Sequence, residues 1–174
     1  MPFQIEKDEH LSDTDIHSYI NLIRAIWQDM PEKSWFTMDD EAVITERLLN
    51  HTARIYTARE TATNSLAGIF MVTFPELSEE NLGRDLGFTD ADLLQTAHMD
   101  TAVILPAYRG HHLQQKLMQA AEEDLKQAGF RHLLCTIHPD NCYSLQNAAS
   151  QGYRIAKSTT KYGNLPRSIL YKTL

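Results

Sequence analysis

Apolar residues in the first thirty positions fall on a helical beat. Ile16, Ile20, Ile23 and Trp27 recur every three or four residues within LSDTDIHSYINLIRAIW, which predicts an amphipathic helix capped by Ser12 or Asp13. Ahead of it, FQIEK alternates apolar and polar as a short strand does. Pro31 and the polar residues after it interrupt the pattern. A second helix is expected from near Thr37 through MDDEAVITERLLN, whose acidic first turn suits the positive end of a helix dipole. The beat then changes to the β-rich runs ARIYTARE and SLAGIFMVTF, joined by TATN, a link of hairpin length. They predict an antiparallel pair.

Residues 75–97 form a long connection holding Pro75, Gly83, Gly87 and a short helix at TDADLLQT. HMDTAVIL reads as a strand. Leu113, Leu117, Ala121 and Leu125, four apart, predict a helix over 110–128 closed by Gly129. RHLLCTI is another strand, and DNCYSLQNAASQ a short helix capped by Asp140 or Asn141. Two closing strands meet at a turn near Gly163 to Pro166. The strand-helix-strand order over 98–137 requires a right-handed crossover and parallel strands, whereas the earlier hairpin is antiparallel. The fold class is therefore α/β with a mixed sheet, and 174 residues suit a single domain over 1–174.

Composition adds exclusions. Hydrophobic residues make 43% of the chain and charged residues 22%, ordinary for a globular protein. No apolar run long enough to span a bilayer occurs, and MPFQIEKDEH lacks the basic start and apolar middle of a secretory leader, so a cytoplasmic protein is expected. Cys135 and Cys142 are too few for a disulfide framework and match no zinc spacing, and the histidines show no paired ligand spacing; no metal is expected. A net charge of -7 opposes binding to nucleic acid or an anionic membrane. The charge is uneven, however. Residues 1–100 carry -12 and residues 101–174 carry +5, so the C-terminal half suits a polyanionic ligand and the N-terminal half tolerates a cationic one.

The sharpest candidate for such a ligand is PAYRGHHLQQKLM, residues 106–118. A helix beginning at Gly110 would expose its first N–H groups and its positive dipole end to an anion. Gly110 lets a ligand approach the backbone, and Arg109 adds a permanent charge with a fork of donors. An ordinary surface arginine before an ordinary helix is the plain alternative.

Taken whole, DTAVILPAYRGHHLQQKLMQAAEEDLKQAGF, a strand, and HPDNCYSLQNAASQGY resemble the GNAT superfamily of N-acetyltransferases over about residues 98–153. The shared pattern is an apolar strand, Pro-x-Tyr-Arg-Gly-x-Gly, a helix, a strand, and Asn-x-x-Ala/Ser ahead of a Gly-aromatic pair. The resemblance implies a mostly antiparallel sheet with a central parallel pair splayed at the cofactor, helices on both faces, and acetyl-CoA as cosubstrate. It assigns Arg109, Gly110, His111, His112, Leu113 and Gln114 to the coenzyme diphosphate through backbone N–H groups. Val103, Ile104 and Leu105 would run beside the pantetheine arm, with Asn141 and Ser144 on its far wall. A homodimer is plausible within the superfamily.

Three positions depart from that pattern. His112 stands where glycine is usual, Gln114 where Gly or Ala is usual, and Ala148 where a tyrosine commonly protonates the leaving thiolate. Tyr143, Ser144, Cys142 or water would have to replace that acid. Acetylating an amine also needs a base, because deprotonating an ammonium at neutral pH costs about 4 to 5 kcal/mol. Asp100 is the candidate, with His98 on the same strand face. A backbone N–H near Val103 or Ile104 would polarise the thioester. Two rivals remain: a noncatalytic acyl-CoA-binding module, and a thiol hydrolase built on Cys142 with His138 and Asp140. The resemblance implies a primary amine as acceptor, and a small-molecule amine, a peptide N-terminus and a lysine all remain open.

Overall fold

The computed structural model describes residues 2–174. The strands are β1 (Phe3–Lys7), β2 (Ala53–Glu60), β3 (Leu66–Thr73), β4 (Thr96–Ile104), β5 (His132–Ile137), β6 (Arg154–Lys161) and β7 (Leu165–Thr173). The helices are α1 (Asp13–Asp29), α2 (Glu41–Leu49), α3 (Asp90–Leu94), α4 (Leu113–Gln127) and α5 (Cys142–Ser150). The strands hydrogen-bond in the order β1-β2-β3-β4-β5-β7-β6. Pairing is mostly antiparallel, and β4 with β5 is parallel from Thr96↔His132 to His98↔Leu134. The mixed α/β class read from the sequence holds.

The chain divides into two compact units. One comprises the residues up to Met30, Met38–Thr73 and Asp100–Asp124; the other comprises Pro31–Thr37, Phe74–Met99 and Leu125–Leu174. In the first unit, Ser12 caps α1 through a reciprocal capping box with Asp15, which satisfies two otherwise orphaned donors. The helix buries Ile16, Tyr19, Ile20, Leu22 and Ile23. At β3 the run Ala67–Thr73 is buried at every position, so its lack of alternation reflects burial of both faces. The edge strand β1 alternates instead. Leu113, Leu117, Met118 and Ala121 of α4 are buried. On that helix Asp124 accepts the Tyr56 hydroxyl at 2.6 Å and the Lys7 ammonium at 3.0 Å, and it pairs with Arg54.

The second helix starts at Glu41, later than the pattern predicts. The residues before it are otherwise engaged: Lys33–Trp35 form a 3-10 turn, and the Thr37 hydroxyl oxygen accepts a hydrogen bond from Arg167 Nη2.

In the second unit, the long 74–95 connection is pinned from within. The buried Asn81 side chain donates to Glu76 O at 2.7 Å and Leu93 O at 3.2 Å and accepts Gly83 N–H at 2.9 Å. A 3-10 turn, Leu82–Leu86, ends at Gly87 with φ 73°, and Thr89 caps α3. Leu82, Leu134 and Ile169 pack together with Leu86, Phe88 and Tyr171 around them. Asp85 of that turn takes Lys157 and Lys161 from β6.

Candidate functional site

β4 ends in a compact turn. Pro106–Tyr108 form one 3-10 turn, in which Tyr108 N–H donates to Leu105 O at 2.9 Å and Arg109 N–H to Pro106 O at 3.3 Å. Gly110 (φ 84°) and His112 (φ 56°) then adopt left-handed backbone. The helix begins at Leu113, three residues after the expected start, because those two conformations cannot belong to a right-handed helix. The first return bond of this turn is Lys116 N–H to His112 O at 3.1 Å. The N–H groups from Gly110 to Gln115 therefore find no acceptor among the described residues. The donor run is Gly110–Gln115 and not Arg109–Gln114, since the Arg109 N–H closes the preceding turn.

Arg109, His112 and Lys116 are exposed around this run, and a Cβ at Gly110 would meet nothing within 4 Å. His111 turns inward, its ring 5.2 Å from that of Phe3, which also meets Tyr108 edge-on at 5.8 Å. Left-handed backbone followed by a helix N-terminus makes a concave set of converging donors suited to an anion.

The last residues of β4 do not present themselves equally. Leu105 N–H donates to Ala67 O at 2.9 Å on β3. Val103 O also faces β3, 2.7 Å from where a Cβ on Gly68 would stand. Strand residues send their N–H and C=O to alternate edges, so the backbone groups of Ile104 and Ala102 point away from β3. Of Val103, Ile104 and Leu105, Ile104 is the residue whose backbone groups lie on that far edge.

Asp100 lies on the exposed side of β4, where Thr101 Oγ1 donates to its Oδ2 at 3.4 Å. His98 is committed elsewhere. Its Nε2 accepts Leu82 N–H at 3.1 Å, which makes that nitrogen an anchor for the long connection rather than a proton acceptor for substrate.

Asn141, Tyr143 and Ser144 belong to the second unit, at the start of α5. Asn141 Oδ1 caps the helix by accepting Ser144 N–H at 3.2 Å. Tyr143 is 85% exposed, and Ala148 is 2% exposed. The Cys142 and His138 pairing fails on geometry: His138 is buried, its Nδ1 accepts Asp140 N–H at 3.2 Å, and it has no hydrogen bond to Cys142 among the described residues. A thiol with no base beside it is not an activated nucleophile. Cys135 is buried, and burial pushes its thiol up to about 12.

Arg167, absent from the expected site, is 3% exposed on β7. Its Nη2 donates to Ser34 O at 2.9 Å and Thr37 Oγ1 at 3.1 Å, its Nη1 donates to Pro166 O at 2.8 Å, and the Tyr162 ring centre lies 5.3 Å from its guanidinium carbon. The sequence offers only its place beside the apolar run SILY. Among the described residues no cluster of His, Cys, Asp or Glu could hold a metal, and no helix is long and apolar enough to cross a membrane.

No curated protein matches the chain in sequence. Solved structures do match in fold. The NatC complex bound to Gag peptide and CoA aligns at TM-score 0.74 and 14% identity, covering 100% of this chain and 99% of that one. A Bacillus subtilis acetyltransferase in complex with CoA aligns at 0.65 and 16%, covering 99% of each. The protein yncA from Salmonella typhimurium, with its cofactor acetyl-CoA, aligns at 0.69 and 14%, covering 100% of this chain and 95% of that one. A family model described as "Acetyltransferase (GNAT) family" matches residues 19–153.

Proposed function

The chain belongs to the GNAT acetyltransferase family, and from that membership we propose that it transfers the acetyl group of acetyl-CoA to a primary amine by direct attack in a ternary complex. The observation that carries the reading is the run of unpartnered N–H groups from Gly110 to Gln115. These donors, with the Arg109 and Lys116 charges beside them, fit a diphosphate and would hold that of the coenzyme. His111, Leu113 and Gln114 contribute backbone donors. His112 contributes its N–H while its ring stays in solvent. Ile104 would give its N–H and C=O to the pantetheine amides, with Val103 and Leu105 fixing the strand from the β3 side. CoA- and acetyl-CoA-bound structures of the same fold support this choice of ligand.

Bound acetyl-CoA supplies an activated thioester, so this chain must orient it and move protons. Asp100, exposed and on the same strand, would take the proton from the acceptor ammonium, directly or through water. His98 is not that base, because its Nε2 already holds Leu82. With alanine at 148, the thiolate would take its proton from Tyr143, Ser144 or water; a thiol titrating near roughly 8.5 needs less help than an amine would. Asn141, whose Oδ1 caps α5, would meet the coenzyme arm with its amide nitrogen.

Calorimetric titration with acetyl-CoA, followed by release of free thiol across an amine panel, tests the proposal. Arg109→Ala should weaken acetyl-CoA about 5- to 50-fold with a shallower salt dependence. Binding without thiol release for any amine would leave a coenzyme-binding module, and absence of binding would overturn the reading.

A further inference from the structure

On β6 the lysines have a carboxylate and the arginine has none. Lys157 and Lys161 both pair with Asp85, whereas the exposed Arg154 side chain makes no hydrogen bond or ion pair among the described residues. Arg154 lines a cavity of about 440 Å³ between the first residues of β6 and the last of β7, with Ile155, Ala156, Tyr171 and Thr173 around it. That volume lies within the range of small-molecule sites. None of the residues lining it is acidic. Lys172 also borders the cavity, but its ammonium stands 5.5 Å from the centre of the Tyr153 ring, so the guanidinium is the cation that a ligand would meet.

The walls are built rather than incidental. The pairing of β6 with β7 shifts register between Ile155 and Lys157, which leaves Ala156 without a cross-strand partner; such a bulge bends a strand and re-aims its side chains. Ile155 beside it is 58% exposed. Arg154 pairs with Tyr171 across the ladder, and directly opposed residues share a face. Tyr171 is held in place from the β5 side. His132 Nε2 stands 3.4 Å from Asp92 Oδ1, which places the ring proton on that nitrogen and leaves Nδ1 to accept the Tyr171 hydroxyl at 2.7 Å. Thr173 Oγ1 donates to the same phenolic oxygen at 2.9 Å, and Phe88 packs against both rings. With both hydroxyl protons committed, Tyr171 and Thr173 have only lone pairs left for a ligand.

We propose that this cavity binds a hydroxy acid with an apolar side group. Arg154 takes the carboxylate with its fork of donors, the Thr173 oxygen accepts the ligand hydroxyl, and Ile155 and Ala156 cover the apolar group. A single guanidinium suits a monoanion better than a phosphate dianion. Neutral acceptor oxygens suit a hydroxyl better than an ammonium, which would need a carboxylate beside it. All of these residues belong to the second unit, and neither acetyl-CoA nor turnover is needed for the ligand to bind.

Calorimetric titration of the full chain with phenyllactate tests this, against phenyllactamide, which lacks the charge, and phenylpropionate, which lacks the hydroxyl. In the wild type the hydroxy acid should bind saturably, about 10-fold or more tightly than the amide and about 3- to 10-fold more tightly than the acid without the hydroxyl. Arg154→Met should bring acid and amide to equal affinity, and Arg154→Lys should keep part of the preference. Thr173→Val should lower phenyllactate to the level of phenylpropionate, and Thr173→Ser should restore it. Both positions are exposed, so the core is left alone, and melting temperatures check that each variant folds. Absence of saturable binding, equal wild-type affinities for acid and amide, or a preference that survives Arg154→Met would each overturn the proposal. A hydroxyl preference that survives Thr173→Val would overturn the hydroxy-acid assignment.

Discussion

The ring of Phe3 lies 5.2 Å from that of His111, so the first strand supports the turn that holds the unpartnered donors. Tyr108 adds an edge-on contact to the same ring at 5.8 Å. Aromatic contacts of this kind are worth about 0.5 to 1.5 kcal/mol each beyond their buried area. Phe3→Ala should therefore destabilise the protein by about 1 to 3 kcal/mol and loosen Gly110–Gln115. Urea denaturation gives the first quantity, and acetyl-CoA titration should show affinity falling severalfold even though Phe3 is outside the donor run.

His112 holds a φ of 56°, a conformation that costs a side-chain-bearing residue about 1 to 2 kcal/mol. Glycine adopts it freely but loses more entropy on folding. The net effect of His112→Gly should be a gain of up to about 1 kcal/mol, read as a melting temperature higher by about 2 to 4 °C. Acetyl-CoA affinity should hold or improve, because the ring gives way and the N–H stays. A loss of affinity with retained stability would show that the imidazole itself meets the phosphates.

Much of this was legible in the sequence. Periodicity located α1, β2 and β3 because each buries an apolar face whose spacing survives in the residue order, and Ser12 was one of the two cap candidates, whereas its reciprocal bond with Asp15 was not foreseen. The turn ahead of the fourth helix was legible in the sequence, but its register was not. A pattern of Leu113, Leu117, Ala121 and Leu125 fits a helix starting at Gly110 as well as one starting at Leu113, and only the left-handed backbone at 110 and 112 decides. His98 and Arg167 escaped for a different reason. Their partners, Leu82 N–H and the Ser34–Thr37 segment, are distant in sequence, and backbone acceptors leave no residue type to notice. Thr37 was misplaced into the second helix for the same cause.

Gly68 explains how β3 approaches the end of β4. A Cβ there would stand 2.5 Å from Ile104 Cδ1 and 2.7 Å from Val103 O. The Ile104 methyl can swing aside, but the carbonyl belongs to the strand. Gly68→Ala should cost about 1 to 3 kcal/mol and push β4 outward at Val103 and Ile104. Acetyl-CoA affinity should fall together with stability, and Ile104→Val in the same background should recover little, because the carbonyl clash remains.

Asp124 should give the fold a pH dependence at the acid end. Burial raises its pKa, but the Tyr56 hydroxyl, the Lys7 ammonium and Arg54 outweigh burial and hold it below the ordinary carboxylate range. A folded pKa below the unfolded value means that the unfolded chain binds the proton more readily. The stabilisation is thus complete above the unfolded value, near roughly 4, and is lost as pH falls through the folded one. Asp85, depressed by Lys161 and Lys157 against its own burial, acts in the same direction. Asp124→Asn leaves Lys7 and Arg54 facing a neutral amide, so at pH 7 it should cost about 1 to 3 kcal/mol. Between pH 5 and pH 3 the wild type should lose stability more steeply than the variant, whose residual slope comes from Asp85 and the exposed acids. Denaturant midpoints at pH 7, 5 and 3 measure this; parallel curves for the two proteins would show that Asp124 is not depressed in the folded state.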